Sequence, residues 1–141
     1  MKKINICEPT RICCVPSHAS IDRVSGVDMC RIIQPMQELS KDKRFNIRIY
    51  DPKMDMTWDK VIIENDILFL NYTTNDWSFA MMGLLCRKYN RKIVLDIDDA
   101  LWYVRPDNTA YEHFNSEDGK IYKIVSSICR EVDYITTTNQ Y

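Results

Sequence analysis

The chain has 141 residues, 45% hydrophobic and 28% charged, with 19 Lys and Arg against 20 Asp and Glu and a formal net charge of −1. This is one domain's worth of chain, with enough apolar residues for a single core. The balanced charge gives no electrostatic footprint for nucleic acid or an anionic membrane, and no stretch approaches the roughly 18 apolar residues of a membrane span.

The N-terminus, Met1-Lys-Lys-Ile-Asn-Ile-Cys-Glu-Pro, begins basic, but Glu8, Pro9 and Arg11 break its apolar run too early for a signal peptide. Ile12-Cys-Cys-Val15 is the first strand, stopped by Pro16. Its adjacent cysteines, 13 and 14, face opposite sides of the strand and read as small buried hydrophobes of a reducing, cytoplasmic protein. The six cysteines form no C-x-x-C pair and the chain has two histidines, 18 and 113, so a structural zinc site is not expected. A polar run from Ser17 ends in Ser25-Gly26, after which Met29, Ile32, Ile33, Met36 and Leu39 recur at helical spacing over about 27–41. Pro35 lies inside that helix. It removes one amide donor and leaves the Arg31 carbonyl unpaired, which predicts a kink or a restart.

Asn46-Ile-Arg-Ile-Tyr50 alternates as a second strand, ended by Asp51-Pro52, and 53–64 holds a short helix ending in Val61-Ile-Ile63. Asp66-Ile-Leu-Phe-Leu-Asn71 is the third strand. Asn75 and Asp76 are candidate caps for a helix to about Tyr89, with Trp77, Ala80, Met81, Leu84 and Leu85 on its buried face. A strand over 92–97 follows, then an irregular aromatic-rich loop over 101–115. Ser116, Glu117 and Asp118 open a last helix, buried through Ile121, Ile124, Val125, Ile128 and Val132, before a fifth strand, Asp133-Tyr-Ile-Thr-Thr-Thr138. Strands alternating with helices at this spacing imply βαβ units: an α/β, Rossmann-like three-layer αβα domain with a mostly parallel sheet of about five strands. A helix is the next element such a fold calls for. The expectation is therefore one Rossmann-like domain over 1–141, either half of a larger enzyme or a domain whose partner is another chain.

The chemistry concentrates in Arg91-Lys-Ile-Val-Leu-Asp-Ile-Asp-Asp-Ala-Leu-Trp102. Ile93, Val94 and Leu95 suit a strand buried on both faces, yet the run continues into Asp96, Asp98 and Asp99. Carboxylates gathered there repel one another and resist desolvation. Ligands of open α/β sheets bind beyond the carboxyl ends of the strands. Asp98 and Asp99 are thus candidates for holding hydroxyl groups or acting as a base, or else for capping the Ala100-Leu-Trp turn. Asp96, inside the strand, is a candidate partner for Arg31. Trp102 and Tyr103 could stack on a ligand ring or simply pack. His18 follows the first strand and could reach the same cleft, and His113 reads as structural.

Together, Gly26-Val27, Arg31-Ile-Ile-Gln-Pro-Met36 with Leu39, Ile93-Val-Leu-Asp-Ile-Asp-Asp-Ala-Leu-Trp102 with Pro106 and Asn108, and Asp133-Tyr-Ile-Thr-Thr-Thr138 form a pattern that resembles the N-terminal domain of GT-B glycosyltransferases, family-4-like and of phage or bacterial type. The resemblance covers roughly 11–141. It implies an acceptor-binding domain of an enzyme that transfers a sugar from a nucleotide-sugar, with Ser25-Gly26-Val27 near the donor phosphates, Arg31 and Trp102 on the substrate side, and Asp99 or Asp98 catalytic. It implies the nucleotide-sugar as co-substrate, no other cofactor and no divalent metal. The family's second domain is not in these residues, so catalysis would need that domain or a partner chain.

Three other readings stay open on the same residues. The acidic segment also looks like the first motif of haloacid-dehalogenase-type phosphatases, with Asp96 as nucleophile, Asp98 as general acid and bound Mg²⁺, although that motif usually has Thr where Ala100 stands. A GT-A transferase would use the D-x-D to bind Mn²⁺ with its nucleotide. A non-catalytic, partner-dependent binding domain is the third.

Overall fold

A computed structural model describes residues 8–16, 25–51, 53, 57–71, 76–98, 104–109, 111–112 and 120–137. The elements run β1 (Thr10–Val15), α1 (26–39), β2 (Phe45–Ile49), α2 (Trp58–Ile63), β3 (Ile67–Asn71), α3 (Asp76–Lys88), β4 (Lys92–Ile97), α4 (Lys120–Glu131) and β5 (Tyr134–Thr137). All five strands are parallel, in the order β2-β1-β3-β4-β5. The expected Rossmann-like α/β class is therefore what the chain adopts.

The order dictates which face each helix covers. From β1 the chain steps one way to β2, and every later crossover runs the other way. Right-handed crossovers in opposite directions place their helices on opposite faces of the sheet. Accordingly α1 packs on one face, where Ile32 and Met36 meet Ile12 and Cys14 with Leu39, Phe45, Ile47, Ile67 and Phe69 around them. On the other face Val61 and Ile62 of α2, Phe79, Met82 and Cys86 of α3, and Val125 and Ile128 of α4 cover Cys13, Leu68, Leu70, Ile93, Leu95 and Ile97. Cys13 and Cys14 do point to opposite faces, and burial pushes their thiols up to about 11 and about 12.

Pro35 falls where α-helical geometry restarts within α1, at the first turn of its last segment, as the sequence predicts for a helix restart. Gly26–Asp28 is α-helical, Met29–Ile33 is one π-helical stretch, and Gln34–Leu39 is α-helical again, with right-handed helical dihedrals at each junction. The Gln34 amide donates to the Met29 carbonyl, five residues back. The wider turn lets the pyrrolidine ring sit at the start of a fresh α-turn without breaking the run.

Strands β3 and β5 begin one residue later than the sequence pattern suggests, because the Asp before each has another task. Asp66 Oδ2 accepts from the Arg11 amide of β1 at 2.9 Å, and Asp133 Oδ2 accepts from the Ile93 amide of β4 at 2.9 Å. Each carboxylate thereby satisfies a backbone donor at the amino end of a neighbouring strand. The buried face of α3 also differs from expectation. Phe79, Met82 and Cys86 are buried, whereas Met81 and Leu84 are exposed. This helix is apolar nearly all round, so periodicity alone leaves its rotation open. Its end is set by Asn90, at φ 52, with the Arg91 amide donating to the Cys86 carbonyl at 2.8 Å. Residues 111–112 are helical within the stretch expected to be irregular. The candidate caps Asn75 and Ser116 lie outside the described residues. No helix among the described residues is long and apolar enough to cross a membrane.

Candidate functional site at the carboxyl edge of the sheet

The strand order reverses between β1 and β3, and doubly wound sheets bind their ligands at the carboxyl side of such a point. Here that edge carries a row of polar side chains under α1. Asn71, the last residue of β3, lies in register with Asp96 of β4, which lies in register with Thr136 of β5. Two residues of α1 close over the row. Asp28 Oδ1 accepts from Asn71 Nδ2 at 3.0 Å, and Arg31 donates through Nε and Nη2 to the two oxygens of Asp96 at 2.8 and 2.5 Å. The Thr136 hydroxyl adds a third donor to Asp96 at 2.6 Å.

Local sequence explains how α1 presents these groups. Ser25 is the N-cap, with extended dihedrals (φ −67, ψ 154). Its Oγ accepts from the Asp28 amide at 2.9 Å, and its hydroxyl donates to Asp28 Oδ2 at 2.8 Å. Such a cap contributes about 1 kcal/mol, and a carboxylate in the first turn is favoured by the helix dipole. Asp28, Asn71 and Asp96 are all buried, and each has polar partners, as buried polar groups require. The Asp28, Arg31 and Asp96 charges sum to one negative.

The residues singled out from sequence divide as follows. Ser25 and Arg31 belong to this network, Ser25 as a cap and Arg31 as the partner of Asp96. A Cβ added at Gly26 would meet open space, so neither packing nor backbone conformation requires glycine there. Asp98 is half-buried just past β4 and makes no hydrogen bond among the described residues. His18, Asp99, Trp102, Tyr103 and His113 lie outside the described residues. Asp28 and Asn71 were not anticipated. The Ser25-x-x-Asp28 spacing is a readable capping signal, and a polar residue closing an apolar strand is a weaker one. Asp51, just past β2, also stands at this edge, its Oδ1 accepting from the Lys53 amide at 2.9 Å, beside the stacked rings of Tyr50 and Trp58, 4.7 Å apart.

The geometry tells against a phosphatase. Asp96, the expected nucleophile, is buried and held by three donors.

The sheet and its ligand edge thus define a doubly wound, Rossmann-like domain. No protein-family model and no curated protein matches the sequence. Among solved structures, an ethylated short-chain dehydrogenase/reductase from Veillonella parvula DSM 2008 is 11% identical, with a TM-score of 0.51, over 91% of this chain and 67% of that one. A wide-type short-chain dehydrogenase/reductase from the same organism, in complex with NADP, is 9% identical with a TM-score of 0.45 over the same shares. At such identity the first likeness shows a shared fold alone, and the second carries no argument. The glycosyltransferase resemblance is corrected here. No family model or curated protein supports it, and the solved structure whose likeness shows the fold is described as a short-chain dehydrogenase/reductase. Acidic residues at the end of a buried strand are common property of α/β domains and do not single out that family.

Proposed function

We propose that the chain is a Rossmann-like domain that binds a ribose-bearing, nucleoside-type ligand across the carboxyl ends of β1, β2 and β3. The observation that carries this reading is the reversal of strand order between β1 and β3, where buried Asp28 meets Asn71 at the end of β3, with buried Asp96 one strand further along on β4. Buried charge of this kind adds little to stability compared with a hydrophobic core and is characteristic of binding sites. Asp51 supports the ribose assignment. It stands past the second strand and 25 residues after Gly26, near where doubly wound folds place the acid that takes a ribose hydroxyl. The five described cysteines are free, which supports a reducing, cytoplasmic setting.

Calorimetric titration of the chain with adenosine, guanosine, cytidine and uridine tests the reading. At least one nucleoside should bind, and Asp51→Ala should weaken it about tenfold, the loss of one charge-assisted hydrogen bond. Absence of binding by all four, or unchanged affinity in Asp51→Ala, overturns the proposal.

A further inference from the structure

We infer that the groove between α3 and α4 is a docking surface for an acidic amphipathic helix of a partner protein. The groove lies on the face of the sheet away from α1, shares no residue with the carboxyl-edge site and does not depend on what binds there. Because the strands are parallel, α3 and α4 both return from the carboxyl edge to the amino edge, side by side and in the same direction. Between them is a cavity of about 470 Å³, floored by Phe79, Ile124 and Ile128 and walled by Ala80, Gly83 and Ser127. At its far end Arg87 Nη1 donates to Glu131 Oε2 at 2.7 Å and ties the two helices together. A glycine in mid-helix lowers helix stability, and nothing packed on α3 demands one at 83. A Cβ added there would meet the Arg87 guanidinium of the same helix, at 3.9 and 4.0 Å, and no described residue of α4. Small residues thus keep open a groove that larger ones could fill.

Apolar surface and charge together define the occupant. Leu84 is 59% exposed and Met81 40%, so the apolar surface of the groove continues over its rim onto the outside of α3. Exposed apolar side chains gathered beside a groove mark an interaction site. From Ala80 to Lys88 and from Tyr122 to Glu131, four exposed cations (Arg87, Lys88, Lys123 and Arg130) stand against the single carboxylate of Glu131. That carboxylate is committed to Arg87. The face is therefore cationic although the whole chain carries a formal −1. A second copy of this chain would bring like charges together, whereas an acidic helix brings opposite ones. Arg87, Lys88 and Arg130 lie in the last turns of their helices. A helix docked antiparallel to α3 and α4 sets its first turn there, where its own dipole favours carboxylates. Its apolar residues at i, i+4 and i+7 then enter the groove.

The test uses the whole chain and three dye-labelled synthetic helical peptides, read by fluorescence anisotropy. The first has leucines at i, i+4 and i+7 with glutamates on the flanks, the second replaces those glutamates with lysines, and the third keeps the glutamates but shuffles the leucines. The first should bind with a Kd of about 100 μM or tighter, and the other two at least about tenfold more weakly. The gap between the glutamate and lysine peptides should shrink as salt is added. Ala80→Phe, at an exposed position of the groove wall, should weaken the first peptide about tenfold while the urea midpoint holds. Combining Lys88→Glu with Arg130→Glu should abolish the preference for glutamate over lysine. No binding of the first peptide, equal binding of the lysine peptide, or indifference to Ala80→Phe overturns the inference. So does co-sedimentation of the chain with phosphatidylglycerol vesicles that the double charge variant abolishes while the first peptide stays unbound, since the surface then serves a membrane. Should Ala80→Phe not fold, Ser127→Phe, exposed on the opposite wall, decides in its place. None of these outcomes bears on the nucleoside reading.

Discussion

Replacing Arg31 with Met should be among the most damaging single changes outside the apolar core. The Asp96 side chain is 5% exposed and the Arg31 side chain 19%. Arg31→Met removes two of the three donors around a buried carboxylate and leaves the Thr136 hydroxyl. Removing one partner of a buried ion pair costs about 3–5 kcal/mol, because the remaining charge is stranded. The opposite change, Asp96→Asn, should be milder, about 1–2 kcal/mol. Its amide oxygen still accepts, and the more exposed guanidinium can turn toward water. The double variant strands no charge, so its loss should fall short of the sum by about 2 kcal/mol. Urea unfolding reads all three: midpoints should drop at an unchanged slope. For a chain of this size about 1 kcal/mol corresponds to about 3–5 °C, which puts Arg31→Met roughly 10–25 °C below the wild type. A loss under about 1 kcal/mol for Arg31→Met, or additive losses around the cycle, would refute this account of the cluster.

Other outcomes follow from the same structure. The Arg11 guanidinium hydrogen-bonded to Asp66 holds that carboxyl below its ordinary value of 3.8. Its stabilisation is complete above that value and is lost as the pH falls through it toward the folded value. Asp66→Asn should therefore lower stability at neutral pH and flatten the acid limb in urea unfolding measured down the pH scale; an acid limb as steep as the wild type's contradicts it. Cys30 is exposed, whereas burial pushes Cys13, Cys14 and Cys86 up to about 11, 12 and 11. Iodoacetamide at mildly alkaline pH, read by peptide mapping, should modify Cys30 in the native protein and reach those three after unfolding; equal native rates would show the strands to be open. Leu70→Ala and Leu95→Ala, in strands covered on both faces, should each cost about 3 kcal/mol by urea unfolding, and losses below about 1 kcal/mol would place those side chains outside the core.

Much of the architecture was legible because it is written in local periods. Alternating β-branched runs and helical spacing located five strands and the helices between them, and βαβ spacing implied parallel pairing with a definite hand. The Ser25-x-x-Asp28 cap could be read in the same local way. Where two local patterns fit equally, the reading failed. In α3 the apolar residues surround the helix, so only contact with the sheet selects Phe79, Met82 and Cys86 over Met81 and Leu84. The family resemblance failed for a related reason: its most specific part, the acidic end of β4, is a feature that many α/β folds share.

The Arg31–Asp96 pair was a candidate from the sequence, but the meeting of Asp28 with Asn71 was beyond any local reading. Asp28 and Asn71 stand 43 residues apart, and Arg31 and Asp96 stand 65 apart. Sequence by itself determined which residues are able to carry charge and on which elements they ride. Only the tertiary structure decided that the Asp96 carboxylate is neutralised by Arg31 and that the Asp28 carboxylate meets the Asn71 amide group at the end of β3. The physical reason is that the worth of a buried charge depends on its distance from others and on the water excluded between them, and chain folding sets both.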